Sequence, residues 1–385
     1  MFKEIDDKYV ASTYKRFPLE IVSGKGSVAV DINGKEYIDM GSGIGVTSFG
    51  ICDEEWQQAV TAQLGKIQHM SNLYYTEPCA RLAQILCERT GMKKVFFGNS
   101  GAEANETAIK AARKYAAENK GEDHYTIITL ENSFHGRTHT TLAATGQEAF
   151  HKLFQPLTPG FVHTPANDLE AMKKMVQNVK CAGIMIECVQ GEGGVVSLDA
   201  DFIKGVEKIA RENDLILIVD EVQTGNGRTG ELYSYMHFGI TPDVVTTAKG
   251  LAGGLPLGAV LLGERLENIF SYGDNGSTFG GNPVACAGAI NILGRIDDAL
   301  LAEVREKSEY IFKELSGAQG VENVSGLGLM IGIKTVRPAA EVVSICMENG
   351  VLPLTAKDKV RLLPALNIPQ DVLAKAVDVI KEACK

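Results

Sequence analysis

The sequence predicts an α/β fold built on a mostly parallel sheet, which helices cover on both faces. Short apolar runs in the middle of the chain are separated by stretches in which apolar residues recur at helical spacing. Uniformly apolar strands are typical of parallel sheets buried between helices. Glycine clusters lie at the ends of predicted strands, at 41–50, 225–230, 250–258 and 273–281. Because ligands of open α/β sheets bind beyond the carboxyl ends of strands, these clusters indicate a binding site.

The length of each segment and the spacing of its apolar residues predict the strands and helices in the middle of the chain. The apolar runs of strand length are Lys94–Phe97, Tyr125–Leu130, Gly183–Glu187, Leu215–Val219, Asp243–Thr247 and Leu257–Leu262. The amphipathic segments of helix length are Glu54–Ile67, Glu77–Thr90, Ala102–Lys120, Asp168–Val179, Asp201–Asn213 and Asn282–Ile296.

The two ends of the chain predict a smaller α+β domain. Residues 18–40 alternate apolar and polar residues around Asn33-Gly34, a pattern typical of an antiparallel hairpin. The C-terminal part is predicted to contain a helix from Ala302, a glycine-rich strand over 326–334, a second helix, a strand near Val360 and a helix after Pro369. We therefore predict that residues 1–50 and 291–385 form this small domain and that residues 51–290 form the large one.

The composition excludes several classes of protein. The 385 residues carry a net charge of −10, which disfavours non-specific binding to nucleic acid or anionic lipid. No apolar run approaches the ~20 residues of a membrane-spanning helix, and the N-terminus lacks a signal-peptide pattern. Eight cysteines without a C-x-x-C pair predict free thiols in a reducing cytoplasm. No metal site is predicted, because His135 and His139 lack the glutamate of a zinc-protease helix.

The segment FGNSGAEANETAIK, residues 97–110, predicts a strand that passes through Ser100 and Gly101 into a helix. The free N–H groups and the dipole of a first helical turn attract anions, and glycine lets a phosphate approach the backbone. An ordinary N-cap by Ser100 explains the same residues, so this segment alone leaves both interpretations open.

The segment LILIVDEVQTGNGRTG, residues 215–230, places Asp220 at the end of an apolar strand. A buried carboxylate needs a partner, and either a protonated ring nitrogen or the amides of a turn can provide one. The glycines at 225, 227 and 230 match G-x-G-x-x-G. They do not join a strand directly to a helix, so a dinucleotide site is disfavoured.

Lys249 lies just after an apolar strand and before a glycine-rich turn. A desolvated lysine has a lowered pKa and forms Schiff bases, whereas a surface lysine packed along its stem is the alternative. Taken together, the three segments favour a lysine that forms a Schiff base over a surface lysine. Pyridoxal phosphate needs a phosphate cradle, an acid at its ring nitrogen, a lysine at its aldehyde and an aromatic residue on its ring. The chain provides them in the order Ser100-Gly101, Phe134, Asp220 and Lys249.

From about Lys15 to the C-terminus, the chain resembles the class III (subgroup II) aminotransferases of the type I pyridoxal-phosphate fold. The matching stretches are SNLYYTEP (71–78), FGNSGAEANETAIK (97–110), SFHGRTHTTLAATG (133–146), IECVQGEGG (186–194), DEVQTGNGRTG (220–230), TTAKGLAGGLPLGA (246–259) and STFGGNPVA (277–285). SNLYYTEP with FHGRT is similar to the branch that acts on N-acetylornithine. Near residue 50, FGICDEEW replaces the family's usual pair of histidines, a departure that concerns a loop rather than the reaction.

The resemblance implies a role for each matching residue. The expected cofactor contacts are Gly101 and Ala102 at the phosphate, Phe134 and Val222 on the two ring faces, Asp220 at the ring nitrogen, Gln223 near the 3-hydroxyl, Lys249 at the aldehyde and Thr278 at the phosphate of a neighbouring subunit. The expected substrate contacts are Arg137 with Ser277 nearby at one carboxylate, Arg361 at a second carboxylate, and Glu192 as the movable partner of Arg361. For the two arginines, a structural ion pair is the alternative. Lys249 and Asp220 are the expected catalytic residues.

The resemblance also implies an activity. A homodimer would transfer the ω-amino group of N-acetylornithine to 2-oxoglutarate, with the reverse direction serving arginine synthesis. Succinylornithine, ornithine, 4-aminobutyrate and lysine-derived donors are the alternatives within the class. A non-catalytic binding protein on the same scaffold is the alternative from another class, and the intact Lys249 and Asp220 argue against it. No nucleic acid or membrane partner is expected.

Overall fold

Helices and strands alternate through the middle of the chain in the computed structural model, which describes residues 2–385. The helices are α1 (Phe2–Tyr9), α2 (Ser42–Gly45), α3 (Glu54–Leu64), α4 (Glu77–Thr90), α5 (Gly101–Lys120), α6 (His139–Ala144), α7 (Leu169–Asn178), α8 (Ala200–Glu212), α9 (Pro283–Arg295), α10 (Asp298–Leu315), α11 (Ala339–Glu348) and α12 (Gln370–Cys384). Short 3₁₀ helices occupy Glu148–Phe150, Ser234–Phe238, Lys249–Leu251 and Glu264–Leu266.

The strands form one large sheet, two smaller sheets and a short ribbon. They are β1 (Ile21–Lys25), β2 (Val28–Asp31), β3 (Glu36–Asp39), β4 (Lys94–Gly98), β5 (Thr126–Leu130), β6 (Phe161–Thr164), β7 (Cys181–Ile186), β8 (Val189–Gln190), β9 (Val196–Ser197), β10 (Ile216–Asp220), β11 (Val244–Thr247), β12 (Gly258–Leu262), β13 (Val321–Leu327), β14 (Met330–Thr335), β15 (Val351–Leu352), β16 (Leu354–Ala356) and β17 (Lys359–Leu362).

The large sheet has seven strands in the order β4-β12-β11-β10-β7-β5-β6. Its neighbouring strands run parallel except at β12, which is antiparallel to both β4 and β11. The prediction of a mostly parallel sheet is therefore confirmed. Asp220 pairs with Thr246, and Val219 pairs with Ile186, so β7, β10 and β11 end side by side. This register brings the residues that follow the three strands to one edge of the sheet.

The central strand β10 is buried on both faces. Ile216 and Ile218 pack in the core formed with α5, whereas Leu217 and Val219 pack in the core that contains residues of α8. Alternate residues of a strand point to opposite faces, so a run of apolar residues serves both cores. Burial of each such side chain contributes about 1.5–3 kcal/mol, which fixes the end of the strand and hence Asp220.

The predicted central helices are all present, with ends that differ by up to three residues from those predicted. Strand β6 was not predicted, because the run FVHT is short and partly polar. The single strand predicted over 326–334 is wrong, since β13 and β14 form an antiparallel hairpin in which Leu327 pairs with Met330. Gly328 opens the two-residue turn with a φ of +56°, a conformation that favours glycine.

The N-terminal and C-terminal segments share a small sheet. Strands β1, β2 and β3 are antiparallel neighbours, with the Asn33-Gly34 turn between β2 and β3, so the predicted hairpin is confirmed and gains a third strand. Strand β15 completes the sheet by pairing in parallel with β3, Val351 opposite Ile38. A second small sheet has the order β13-β14-β17-β16. The domain boundaries at residues 50 and 290 stay a prediction.

The FGICDEEW segment is well anchored. Asp53 caps α3 by accepting a hydrogen bond from the Trp56 backbone N–H at 3.0 Å, and it also pairs with Arg295 of α9. The guanidinium of Arg295 lies 3.9 Å from the centre of the Phe49 ring. Trp56 Nε1 donates to the carbonyl of Ala252 at 3.0 Å. The departure from the family pattern thus ties α3 to α9 and to the segment that follows Lys249.

All eight cysteines are free, as predicted, and five of them are buried. Among residues 2–385, no helix combines the length and the apolar character that crossing a membrane requires.

Candidate active site

A cavity of about 420 Å³ lies beyond the carboxyl ends of the central strands. It is lined by residues from the start of α5, the loop after β5 and the ends of β7, β10 and β11, including Ser100, Gly101, Ala102, Asn105, Phe134, Arg137, Glu187, Asp220, Val222, Gln223 and Lys249. The structure therefore gathers most of the predicted site residues around one space. A larger depression of about 900 Å³ contains His151 and His163 but none of the predicted site residues.

The start of α5 forms one end of the cavity. Ser100 Oγ accepts a hydrogen bond from the Glu103 backbone N–H at 3.2 Å, so Ser100 caps the helix. A side chain at Gly101 would come within 2.6 Å of Val222 Cγ1, so glycine is needed for Val222 to pack there. The cap and an anion site coexist, because a helix of 20 residues presents several free N–H groups and a dipole at its start.

Asp220 is buried and held by three hydrogen-bond donors. Its Oδ2 accepts from Asn105 Nδ2 and from His135 Nδ1, each at 2.8 Å, and its Oδ1 accepts from the Val222 backbone N–H at 3.0 Å. Asn105 Nδ2 also donates to the His135 carbonyl at 2.7 Å, which ties the two donors together. The turn amide and two side chains thus orient the carboxylate while it faces the cavity, where a protonated ring nitrogen can meet it.

Lys249 adopts a strained backbone conformation, with a φ of +43°. The peptides on both sides of it are fixed by buried side chains. Asn226 Nδ2 donates to the Ala248 carbonyl at 3.1 Å, and Ser48 Oγ donates to the Gly250 carbonyl at 3.2 Å. These hydrogen bonds hold Lys249 at the cavity wall.

Asn226 belongs to the G-x-G-x-x-G segment, residues 225–230. This segment forms turns and does not join a strand to a helix, which argues against a dinucleotide site as the sequence did.

Several titratable groups of the site have shifted pKa values. Burial lowers the pKa of Lys249, although the charge of Glu192 opposes this. Burial raises the pKa of Glu187 to about 7 against the opposing effect of His135. Burial would lower the pKa of His135, but its hydrogen bond to Asp220 and the charge of Asp220 raise it overall. Clusters of perturbed groups around a cavity are typical of catalytic sites.

The buried Arg361, on β17, forms an ion pair with the half-buried Glu192. Its Nη1 lies 2.5 Å from Glu192 Oε1 and 3.2 Å from Gln223 Oε1, while Gln223 Nε2 donates to Glu192 Oε1 at 3.2 Å. Burial would raise the pKa of Glu192, but the charge of Arg361 and their hydrogen bond lower it. The pair fits both interpretations that the sequence left open, a movable partner and a structural ion pair.

Of the other predicted substrate-binding residues, Arg137 lines the cavity and Ser277 does not. Arg137 is exposed and lies over the ring of Phe150, with 4.0 Å between its Cζ and the ring centre. Ser277 Oγ accepts from Asn99 Nδ2 at 3.2 Å and lies outside the cavity lining, as does the exposed Thr278. Their roles stay predictions.

The donors of the cavity match the groups of pyridoxal phosphate. The start of α5 offers N–H groups to a phosphate, Asp220 offers a carboxylate to a ring nitrogen, and Phe134 with Val222 offers apolar surface to a ring. The side-chain amine of Lys249 makes no hydrogen bond or ion pair with any of residues 2–385, so it is free for an aldehyde. Asn105, His135 and Glu187 belong to the same site although the sequence did not single them out for it.

A model of the family described as "Aminotransferase class-III" matches residues 9–384 of the chain. The acetylornithine aminotransferase of Haemophilus ducreyi is 50% identical over 383 residues, covering 99% of this chain and 97% of that protein. The acetylornithine aminotransferase of Methanocaldococcus jannaschii is 42% identical over 385 residues, covering 98% of this chain and 96% of that protein.

Solved structures agree with the sequence relatives. The ornithine aminotransferase of Toxoplasma gondii has a TM-score of 0.95 and 30% identity, covering 100% of this chain and 94% of that one. The N-acetylornithine aminotransferase of Stenotrophomonas maltophilia has a TM-score of 0.86 and 31% identity, covering 99% of this chain and 97% of that one.

Proposed function

The chain belongs to the class-III aminotransferases, and we propose that it exchanges the ω-amino group of N-acetylornithine with 2-oxoglutarate. The products are N-acetylglutamate 5-semialdehyde and glutamate. The observation that carries this proposal is the cavity in which Asp220, Lys249 and Phe134 meet, with the Arg361–Glu192 pair bridged to it by Gln223. Relatives at 41–50% identity that are acetylornithine aminotransferases support the choice of donor.

The family uses pyridoxal 5'-phosphate, which supplies an aldehyde that bonds to amines and a ring that accepts electrons from the substrate carbon. We infer that Gly101 and Ala102 bind its phosphate and that Phe134 and Val222 enclose its ring. Asp220 pairs with the ring nitrogen, and Gln223 contacts the 3-hydroxyl side. Thr278 of one subunit reaches the phosphate of its partner.

Lys249 is the residue that moves the proton. A lowered pKa leaves a larger share of its amine neutral, and a neutral amine can remove a proton from the carbon that bears the substrate's amino group. The fixed peptides at Ala248 and Gly250 restrict where this amine can go. Asp220 opposes the charge of a protonated ring nitrogen and is itself held in place by His135 and Asn105.

The two half-reactions place different charges in one pocket. N-acetylornithine carries a single carboxylate, distant from its reacting amine, whereas glutamate carries a second one beside the amine. We infer that Arg137 binds the distant carboxylate of either substrate, with Ser277 nearby, and that Arg361 binds the second carboxylate of glutamate. When the donor lacks that group, Glu192 neutralises Arg361, because an unpaired buried guanidinium is costly.

We further propose a homodimer that works in the cytoplasm and supplies arginine synthesis by running in the acetylornithine-forming direction. Exposed apolar side chains favour a subunit contact, among them Phe279 beside Thr278 and Leu73 beside Asn72, whose Nδ2 donates to the Ser277 carbonyl at 2.8 Å. The eight free cysteines fit a reducing compartment.

A panel of amino donors with 2-oxoglutarate tests the proposal. The holoenzyme is assayed with N-acetylornithine, succinylornithine, ornithine, 4-aminobutyrate and lysine, and kcat/KM ranks the donors. We expect N-acetylornithine to rank first. A first rank for ornithine would favour the activity of the Toxoplasma structural relative instead. A parallel preparation from cells that do not express the protein is the blank and corrects each rate for contaminating aminotransferases.

A further inference from the structure

We propose that Phe150 is a positioning residue that presents Arg137 to the substrate's distant carboxylate. This inference rests on the proposed function, because it assigns the carboxylate to Arg137. Phe150 ends the 3₁₀ helix Glu148–Phe150 and does not itself line the cavity, so it acts through Arg137. The sequence contains no motif that marks this phenylalanine.

The position of Arg137 is determined by two aromatic rings. Its Cζ lies 4.0 Å from the centre of the Phe150 ring and 5.5 Å from the centre of the Phe134 ring. The two rings meet edge to face, with centres 6.1 Å apart and planes inclined at 82°. Among residues 2–385, no carboxylate lies within ion-pair distance of Arg137, and no hydrogen-bond acceptor takes one of its N–H groups. The aromatic contacts are therefore what holds the guanidinium.

A ring contact of this kind leaves the guanidinium free to bind an anion. The cation–π attraction acts on the guanidinium as a charge over the ring and consumes none of its N–H donors. Those donors lie in the guanidinium plane and match the two oxygens of a carboxylate. An acidic partner would occupy the same donors and compete with the substrate, whereas Phe150 does not.

Phe150 is itself fixed relative to Arg137 by the fold. Arg137 comes just before α6, and the 3₁₀ helix comes shortly after it. The next residue, His151, has its Nε2 2.9 Å from the Leu142 carbonyl and 2.8 Å from the Thr145 carbonyl. Carbonyl oxygens only accept, so Nε2 is the donor and it ties the 3₁₀ helix to the end of α6. Arg137 and Phe150 therefore lie beyond the two ends of the short helix α6.

The inference predicts that a donor with a carboxylate is affected by the loss of Phe150 and that a donor without one is not. N-acetylputrescine is N-acetylornithine without its carboxylate, so its turnover does not depend on how Arg137 is presented. Loss of a cation–π contact at an exposed residue such as Arg137 corresponds to a ~2–5-fold change in affinity. We therefore expect the preference for N-acetylornithine over N-acetylputrescine to fall by that factor when the ring of Phe150 is removed.

The test uses the holoenzyme of Phe150→Leu and measures the donor half-reaction in single turnovers, without 2-oxoglutarate, because that acceptor also carries carboxylates. The expected result for N-acetylornithine is a ~2–5-fold lower ratio of the half-reaction rate constant to the half-saturating donor concentration, expressed mainly in that concentration, with N-acetylputrescine unchanged. Phe150→Tyr retains the ring and restores the preference. Phe154→Leu changes an exposed phenylalanine four residues further on and serves as the matched control.

Two results would overturn the inference. If both donors slow by one factor, Phe150 only supports the fold, and if neither changes, the ring does not position Arg137. Phe150→Met provides a second variant without a ring should Phe150→Leu fail to fold. Failure of the proposed function itself looks different, because the wild-type enzyme would then not favour N-acetylornithine in the donor panel.

Discussion

His135 Nδ1 lies 2.8 Å from Asp220 Oδ2, and both side chains are buried. The carboxylate accepts, so the imidazole donates from Nδ1, and Asn105 donates to the same oxygen. His135 Nε2 finds no partner among the described residues. Helix α5 and the loop after β5 therefore converge on one carboxylate at the end of β10. This arrangement fixes the direction in which Asp220 presents its charge.

The Asp220→Asn substitution tests that charge. Asparagine keeps the shape of the side chain but no longer stabilises a protonated ring nitrogen. We expect removal of the substrate proton to slow by ~10–100-fold while the cofactor stays bound, the effect of losing one charge-assisted hydrogen bond. Stopped-flow absorbance of the donor half-reaction measures this step. Asp201→Asn, at an exposed position of α8, is the control, and an unchanged rate in Asp220→Asn contradicts the assignment.

The Lys249→Ala substitution tests the proton-transfer residue. Without the amine, the visible absorbance of the covalently bound cofactor disappears, and turnover falls by at least the ~10²–10⁴-fold commonly due to a positioned proton donor or acceptor. Absorbance spectra and steady-state rates measure the two effects. Lys174→Ala, on the exposed side of α7, controls for loss of a positive charge. Near-normal transamination by Lys249→Ala contradicts its role.

Much of this architecture could be predicted from the sequence because it depends on local patterns. The apolar runs and the helical periodicity gave the order of strands and helices, and glycine positions indicated the edge of the sheet that binds ligands. The hairpin of β13 and β14 was not recognised, since Gly328 turns the chain inside one apolar run. Strand β6 is specified by pairing with β5 rather than by its own composition.

Most of the supporting residues of the site could not be predicted, because they act over long separations. Asn105 meets a carboxylate 115 positions later in the chain. Its only local signal is an asparagine inside a helix, where this residue is not favoured. Glu187 stands at the end of β7 as Asp220 stands at the end of β10, a parallel that could have identified it. Phe150 and Arg137 are brought together by the short helix α6, and no local pattern foretells that contact.

His163 predicts a pH dependence of stability. Burial, with the nearby charges of His151 and His135, lowers the pKa of His163 to about 4 from its usual 6.5. Its Nδ1 lies 2.6 Å from Thr129 Oγ1, whose own hydroxyl donates to the Ala144 carbonyl. The unfolded chain binds a proton below pH 6.5, whereas the folded protein stays neutral there until about pH 4. The stability from this group is therefore complete above pH 6.5 and is lost as the pH falls towards 4.

The His163→Asn variant isolates this effect, since asparagine places a neutral donor near the Nδ1 position. Between pH 7.5 and pH 5, the free energy of unfolding of the wild type should fall by about 2 kcal/mol more than that of the variant. Urea unfolding of both proteins at each pH measures the difference. The exposed His139, changed to asparagine, should keep the wild-type slope. Equal slopes for wild type and His163→Asn would show that His163 titrates normally.

Thr278 predicts a link between cofactor and assembly. If its hydroxyl reaches the phosphate of the partner subunit, the cofactor binds the dimer more tightly than the monomer, and its removal weakens the dimer. A homodimer makes this hydrogen bond twice, and each bond to a charged group contributes ~1.5–3 kcal/mol, so the dissociation constant of the dimer should change by ~10²–10⁴-fold. Analytical ultracentrifugation of cofactor-loaded and cofactor-free protein measures it. Thr278→Ala should reduce the difference and Thr355→Ala should not, whereas equal constants in the wild type refute the link.

Glu192 predicts a difference between the two half-reactions. Its carboxylate holds Arg361 at 2.5 Å and receives Gln223 Nε2 at 3.2 Å, so it occupies the guanidinium that glutamate's second carboxylate needs. The glycines on both sides of Glu192, Gly191 and Gly193, allow more backbone conformations than other residues and let the carboxylate move away. In Glu192→Ala, Arg361 keeps only the Gln223 and Gly191 oxygens, at 3.2 and 3.4 Å. Glutamate can then bind without displacing a carboxylate, while N-acetylornithine faces an unneutralised guanidinium.

We therefore expect Glu192→Ala to preserve or improve the glutamate half-reaction and to slow the N-acetylornithine half-reaction. Removing one partner of a charge-assisted hydrogen bond costs ~1.5–3 kcal/mol of interaction free energy, so the ratio of the two rates should shift by ~10–100-fold. Single-turnover measurements with each donor give this ratio directly. Glu170→Ala removes a carboxylate from the exposed side of α7 and should leave the ratio unchanged. If both half-reactions of Glu192→Ala slow by one factor, the Glu192–Arg361 pair supports the structure of the pocket and does not switch between substrates.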